Sequence, residues 1–197
     1  FEPAWPAYRE CAELVGAKIK VIKTSITSNW DPEIELVEKA ITENTKMIIL
    51  NYPNNPTGKI INKNLYNKIV DLARRNHIFI LSDEVYAEYS YSKLTSILNS
   101  RYEKGIMISS FSKSHAMTGF RIGYAIANMD VINRMAKVQS IAITSVAEPI
   151  QYAAIAALRN NINANVVRIK SRLDFILKRL EDMPVKFYYP DGGMYFF

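Results

Sequence analysis

Lys113 is the residue whose surroundings promise chemistry. It follows the apolar run Gly105-Ile-Met-Ile108, has serines at 109, 110, 112 and 114, and has Arg121 eight residues later. The apolar run reads as a buried strand, which places the lysine at a strand end among hydroxyls. Desolvation and a neighbouring cation both favour a neutral amine, and a neutral amine can attack a carbonyl carbon. Lys113 is therefore a candidate for Schiff-base chemistry, and Arg121 with the serine hydroxyls suits an anion such as phosphate. The plain alternative is a solvated loop lysine, since most lysines lie at the surface.

Three more stretches carry candidates. Asp83 follows Ile78-Phe-Ile-Leu-Ser82, so its carboxylate emerges from the end of a buried strand; capping the next helical turn is the alternative. Asn55 lies in Pro53-Asn-Asn-Pro-Thr-Gly58, straight after the apolar run Met47-Ile-Ile-Leu50. That loop is rich in turn-forming residues and can be only a turn, yet its position lets the Asn55 amide point into a cleft. Trp5 sits at a turn, where an indole either packs or stacks on an aromatic ligand.

These stretches also carry a resemblance. Ser110-Phe-Ser-Lys113 with Gly119-Phe-Arg-Ile-Gly123, Asn51-Tyr-Pro-Asn-Asn-Pro-Thr-Gly58 and Ser82-Asp-Glu-Val-Tyr86 resemble three motifs of the class I/II aminotransferases. Those are pyridoxal-phosphate enzymes of fold type I, aspartate-aminotransferase-like in style. The resemblance implies that Lys113 forms the imine with pyridoxal 5'-phosphate and shuttles the proton at the substrate's α carbon. It implies that Asp83 pairs with the cofactor's ring nitrogen and keeps it protonated, because opposite charges at close range strengthen the base's hold on its proton. Tyr86 and Asn55 would bind the phenolic oxygen, Ser110 and Arg121 the phosphate, and Trp5 the ring face. Asn55 and Trp5 would also border the substrate. The implied reaction moves an amino group between an amino acid and a 2-oxo acid, with aspartate and 2-oxoglutarate as the first pair to consider. The implied assembly is a homodimer, and Gln139 to Gln151 resembles the segment near the partner's active site.

Composition sets limits on the rest. With 197 residues, 49% of them hydrophobic, the chain can bury a core as one domain or one and a part. No apolar run approaches the roughly 18 to 20 residues that a membrane span needs. There is no signal-like start, and the single cysteine, Cys11, fits a reducing compartment; both point to the cytoplasm. The net charge of +6 can steer anionic substrates, or can mean nucleic acid. The densest basic stretch, Arg168 to Leu180, spaces Ile169, Leu173, Ile176, Leu177 and Leu180 as one helical face, so its charges read as the wet side of an amphipathic helix. No helix-turn-helix pattern is present, and His77, His115 and Cys11 make no metal-ligand pattern, which argues against a zinc enzyme.

The elements expected to position these residues alternate. Tyr8, Cys11, Ala12 and Val15 make the stripe of a first helix that Gly16 stops; 18–23 reads as a strand; Asp31-Pro-Glu caps a helix to about 44. Strands follow at 47–50, 78–81, 105–108 and 120–127, with helices at about 63–75, 131–141, 148–158 and 163–182, while Tyr89 and Tyr91 read as packing residues. The fold expected is α/β, a mostly parallel sheet with helices on both faces, which the resemblance identifies with the fold type I large domain. Residues 1–160 would belong to that cofactor domain. Residues 161–197 would form a connecting helix and, from Val185 to Phe197, the first sheet residues of a smaller α+β domain. The resemblance covers only the middle of the family's usual length, so a fragment that turns over poorly alone is expected. Two rivals remain: another reaction on this scaffold, such as a carbon–sulfur lyase or cyclopropane-forming synthase, and a regulatory domain that senses an effector.

Overall fold

A computed structural model describes residues 1–197. At its centre is a four-stranded sheet in the order β1 (Met47–Asn51), β2 (Phe79–Asp83), β3 (Gly105–Ser110), β4 (Gly123–Ile126). The first three strands are parallel, and β4 runs antiparallel to β3. The mostly parallel sheet is thus present, with one reversal that has a local cause. Between β3 and β4 the chain makes one turn of α-helix, α4 (Phe111–Ser114), and a 3-10 turn at Thr118–Phe120. Neither is long enough to recross the sheet, as a parallel neighbour would require.

Helix α3 (Lys63–Arg75) makes the crossover from β1 to β2. Asn62 starts it by accepting a hydrogen bond from the Asn64 N–H at 2.8 Å. Its buried Tyr66, Ile69, Val70 and Ala73 recur at helical spacing and meet Leu50, Ile78, Ile80 and Met107 in the main core. Tyr102 closes this core, donating its hydroxyl to the carbonyls of Ala73 and Ile78. A smaller cluster joins Phe111, Met117 and Ile122 to Ala154 and Ala157 of α6 (Glu148–Leu158). Helix α5 (Met129–Ala142) buries no residue. In α7 (Asn163–Leu180), Leu173 and Leu177 are buried while Arg168, Arg172, Lys178 and Arg179 face solvent, which matches the amphipathic reading.

Four expectations need correction. Helix α1 (Ala7–Leu14) stops just before Gly16, whose φ of 71° suits glycine, but it buries nothing, and Val15 is exposed. Residues 18–23 are not a strand: Glu2 alone runs beside them, bonding to Ile22 and Thr24, so no ladder extends. Helix α2 spans only Ile34–Ala40, because Asp31 gives its carboxylate to Lys59 rather than to a cap, and Thr42 and Thr45 form their own turn. β4 is shorter than 120–127, since Phe120 and Arg121 belong to the turn before it.

The segment after α7 forms no sheet of its own. It lies as a strap against two loops, with hydrogen bonds from Gly192 N–H to Gly58 O, Tyr91 N–H to Asp191 O and Gly193 N–H to Tyr89 O, and a single bridge between Ser90 and Gly192. The approach is close: a Cβ on Gly192 would lie 2.8 Å from Pro53 Cγ and 3.0 Å from Ile60 Cδ1. Glycine is the residue that fits there.

Ile80, with no exposed surface, lies in the middle of β2. Replacing it by alanine is expected to lower stability by about 2 to 5 kcal/mol, read as a lower urea midpoint at unchanged slope.

Candidate active site

The parallel strands end in one row: Asn51 is in register with Asp83, and Asp83 with Ile108. The loops after β1, β2 and β3 therefore leave the sheet at one edge, where open parallel sheets build their ligand sites. Asn55 lies in the loop after β1, Tyr86 in the turn after β2, and Lys113 in α4 directly after β3. β4 enters at the same edge, since Gly123 pairs with Ser110, and it brings Arg121 with it. Six of the seven sequence candidates thus collect at one edge; Trp5 joins them through α1.

Asp83 is 7% exposed. Its Oδ2 accepts a hydrogen bond from the Tyr8 hydroxyl at 2.6 Å and its Oδ1 one from the Val85 N–H at 3.1 Å. Burial raises its carboxyl above the ordinary carboxylate range, and those two hydrogen bonds only partly offset it. Burial and the Asp83 charge in turn push the Tyr8 phenol far up, so Tyr8 keeps its proton and donates it. The sequence pattern places Tyr8 in an apolar stripe, whereas in the structure its hydroxyl serves Asp83. Trp5, 52% exposed, meets the Tyr8 ring edge-on with centroids 5.7 Å apart.

Tyr86 is buried, and its hydroxyl lies 2.8 Å from that of Tyr195, with the two rings edge to face at 5.5 Å. Burial first, then Tyr195 and Asp83, push its phenol well above the usual range, while the Asn55 side chain works the other way. The Asn55 N–H donates to Asn51 Oδ1 at 2.9 Å, which fixes the start of the loop. Lys113 Nζ lies 5.9 Å above the Tyr86 ring centre. The Lys113 carbonyl accepts from the Tyr89 hydroxyl at 3.0 Å, so Tyr89 holds the lysine's turn in addition to packing. Tyr91 likewise donates to Gly193 O at 2.7 Å. Tyr195 was outside the sequence candidates, and nothing local in the sequence marks it.

Ser110 caps α4: its Oγ accepts from the Ser112 N–H at 3.1 Å. Its own proton is placed for either Ser112 Oγ at 2.9 Å or Ile122 O at 3.0 Å. Arg121 is exposed, donates one N–H to Thr118 O at 2.8 Å, and has its remaining donors free for an anion. Two surface depressions, of about 490 and 360 Å³, are lined by neither Lys113 nor Asp83. The site is defined by its donor set.

The whole chain, residues 1–197, matches the family model for aminotransferase class I and II. The chain belongs to that family. The aspartate aminotransferase of Thermotoga maritima is 36% identical to this class I and II member over 100% of the chain and 53% of its own length. That of Pyrococcus horikoshii is 38% identical over 100% of the chain and 52% of its own. The crystal structure of the Thermotoga maritima enzyme superposes with a TM-score of 0.95, covering 98% of this chain and 52% of that one. The chain spans about half the length of the curated relatives it matches.

The donor set fits the cofactor that this family's motifs imply. A buried carboxyl with no cationic partner, an amine beside a buried phenol, and an arginine with free donors complement a pyridine nitrogen, an aldehyde and a phosphate in turn.

Asp83 gives a pH test in protein free of cofactor. Its folded value is raised, so folded protein keeps a proton that the unfolded chain has released. The resulting stability is present below the ordinary carboxylate range and is lost as pH rises through the folded value. Asp83→Asn is expected to gain stability relative to wild type as pH rises from about 4 to about 7. Tyr8→Phe is expected to deepen the wild-type loss; urea unfolding across that range reads both.

Proposed function

We propose that the protein carrying this chain is a pyridoxal-phosphate-dependent aminotransferase, moving an amino group between an amino acid and a 2-oxo acid. The observation that carries the reading is the placement of a cation-free buried Asp83 and the Lys113 amine at one sheet edge, with Tyr86 beneath the amine. Aspartate is the proposed amino donor, supported by the name aspartate aminotransferase that several relatives carry, and 2-oxoglutarate is proposed as its acceptor. We assign residues 1–160 to a large cofactor domain and 161–197 to a connecting helix and the start of a smaller one. No helix is long and apolar enough to cross a membrane. A homodimer in the cytoplasm completes the proposal, the reducing compartment being supported by the lone Cys11.

Pyridoxal phosphate, when bound, supplies an electron sink that weakens the bonds at the substrate's α carbon. The chain's own residues then have distinct tasks. The Asp83 carboxylate would hold a proton on the ring nitrogen, and the Tyr8 hydroxyl, which donates to it, orients that carboxylate and favours its charged form. Tyr86 and Asn55 would hold the phenolic oxygen, Ser110 and Arg121 would hold the phosphate, and Trp5 would cover the ring face. Ser110 must turn its hydroxyl away from Ile122 or Ser112 to do so. Lys113 Nζ is the amine that would bind the aldehyde carbon, and as a free amine it would be the base for the proton on the substrate's α carbon.

Borohydride reduction after adding pyridoxal phosphate tests this without relying on turnover. A stable cofactor adduct is expected on the peptide containing Lys113, and none on Lys113→Ala protein, whose turnover should fall by a factor of about 10³ or more. An adduct confined to other lysines would refute the assignment.

A further inference from the structure

Lys59 lies next to the Asn54–Gly58 loop, yet none of the tasks above uses it. Only 8% exposed, it is a charged side chain held inside the protein, where an amine needs partners. Its Nζ lies 3.1 Å from Asp31 Oδ2 and 3.7 Å from Asp191 Oδ2, donates to the Tyr188 hydroxyl at 3.3 Å, and stands 5.5 Å above the Tyr188 ring centre. Asp191 is gathered in further by the Tyr188 hydroxyl, which donates to Oδ2 at 2.7 Å, and by the Ile60 N–H at 3.1 Å. One amine thus joins three distant parts of the chain: the residues before α2, the loop after β1, and the strap at 188–191.

The strap is what this joint controls. From Asp191 it runs on through Gly192, bonded to Gly58 O, and Gly193, bonded to Tyr89 O, to Tyr195, whose hydroxyl meets Tyr86. Tyr89 in turn holds the Lys113 carbonyl. The Asp31 end of the joint belongs to the body of the domain. The Asp191 end belongs to the strap.

We propose that Lys59 is a positioning residue: paired with Asp31 and Asp191, it latches the Tyr188–Tyr195 strap across the Asn54–Gly58 loop and so sets where Tyr195 meets Tyr86. Without the amine, two carboxylates face each other across the joint with nothing between them, and the strap is the part free to move away. The effect on the reaction rests on the aminotransferase reading; the latch itself does not.

The test therefore has two arms. In hydrogen exchange without cofactor, Lys59→Met is expected to speed exchange of the Tyr91, Gly192 and Gly193 amides by about tenfold or more, with Leu50 and Ile80 unchanged. Lys59→Arg, which keeps the charge, should preserve the wild-type rates. Unchanged strap amides in Lys59→Met would overturn the latch. Should Lys59→Met also speed Leu50 and Ile80, Asp191→Asn, a milder change at the strap end, decides on the same amides: faster exchange supports the latch, and wild-type rates overturn it. In the kinetic arm, Lys59→Met and Tyr195→Phe should each lower kcat/KM, and the double variant should be no worse than the worse single one. Additive losses would overturn the route through Tyr195. The kinetic arm uses the full-length protein that carries this chain; absence of any transamination in its wild-type form would sink the functional reading and leave the exchange arm to judge the latch alone.

Discussion

A carboxylate without a countercharge, at the end of the second of three parallel strands, is the constraint on which the rest of the structure depends. Taking Asp83 out of water costs free energy, and hydrogen bonds to its charged form return only part of it. The donors come from far and near: Tyr8, 75 residues away in sequence, and the N–H of Val85 in the next turn. Helix α1, which buries nothing for its own sake, is thus docked where its one tyrosine reaches the carboxylate. β2 lies between β1 and β3, so the acid at its end is flanked by a strand on either side. A protonated heterocycle is the kind of partner that would repay this arrangement, and it ties the proposed function to the fold.

Tyrosines do most of the remaining fixing. Tyr8, Tyr86, Tyr89 and Tyr91 each place a hydroxyl on a carboxylate, another phenol or a carbonyl. Phenols are protonated at neutral pH, and burial raises all four further, the Tyr91 phenol to about 12. They can therefore serve as permanent donors. Each ring also brings apolar area to loops that a small polar residue would leave loose. The strap, the lysine's turn and the edge of the sheet are held together through these groups.

Much of this was legible in the sequence because the candidates stand directly after short apolar runs. Asn55, Asp83 and Lys113 follow β1, β2 and β3, and local pattern is enough to put residues at the ends of buried parallel strands. What stayed hidden depends on distant contacts. Asp31 before Pro32 has the form of a helix cap, but Lys59 takes its carboxylate. Tyr195 reaches Tyr86 across 109 residues, and no local signal announces that. Residues 18–23 alternate like a strand, yet a strand needs a neighbour, and Glu2 is too short a one. The reversal of β4 was missed for the complementary reason: its direction is set by the turns around Arg121, not by its own residues.

We propose that the acid at position 83 serves to hold a proton on the cofactor's ring nitrogen. The chemical shift of that nitrogen, measured by NMR in protein loaded with ¹⁵N-labelled pyridoxal phosphate, reports the proton directly. A protonated nitrogen at neutral pH, lost in Asp83→Asn, is the expected result. A nitrogen without a proton in the wild-type protein, or one indifferent to that substitution, would contradict the account.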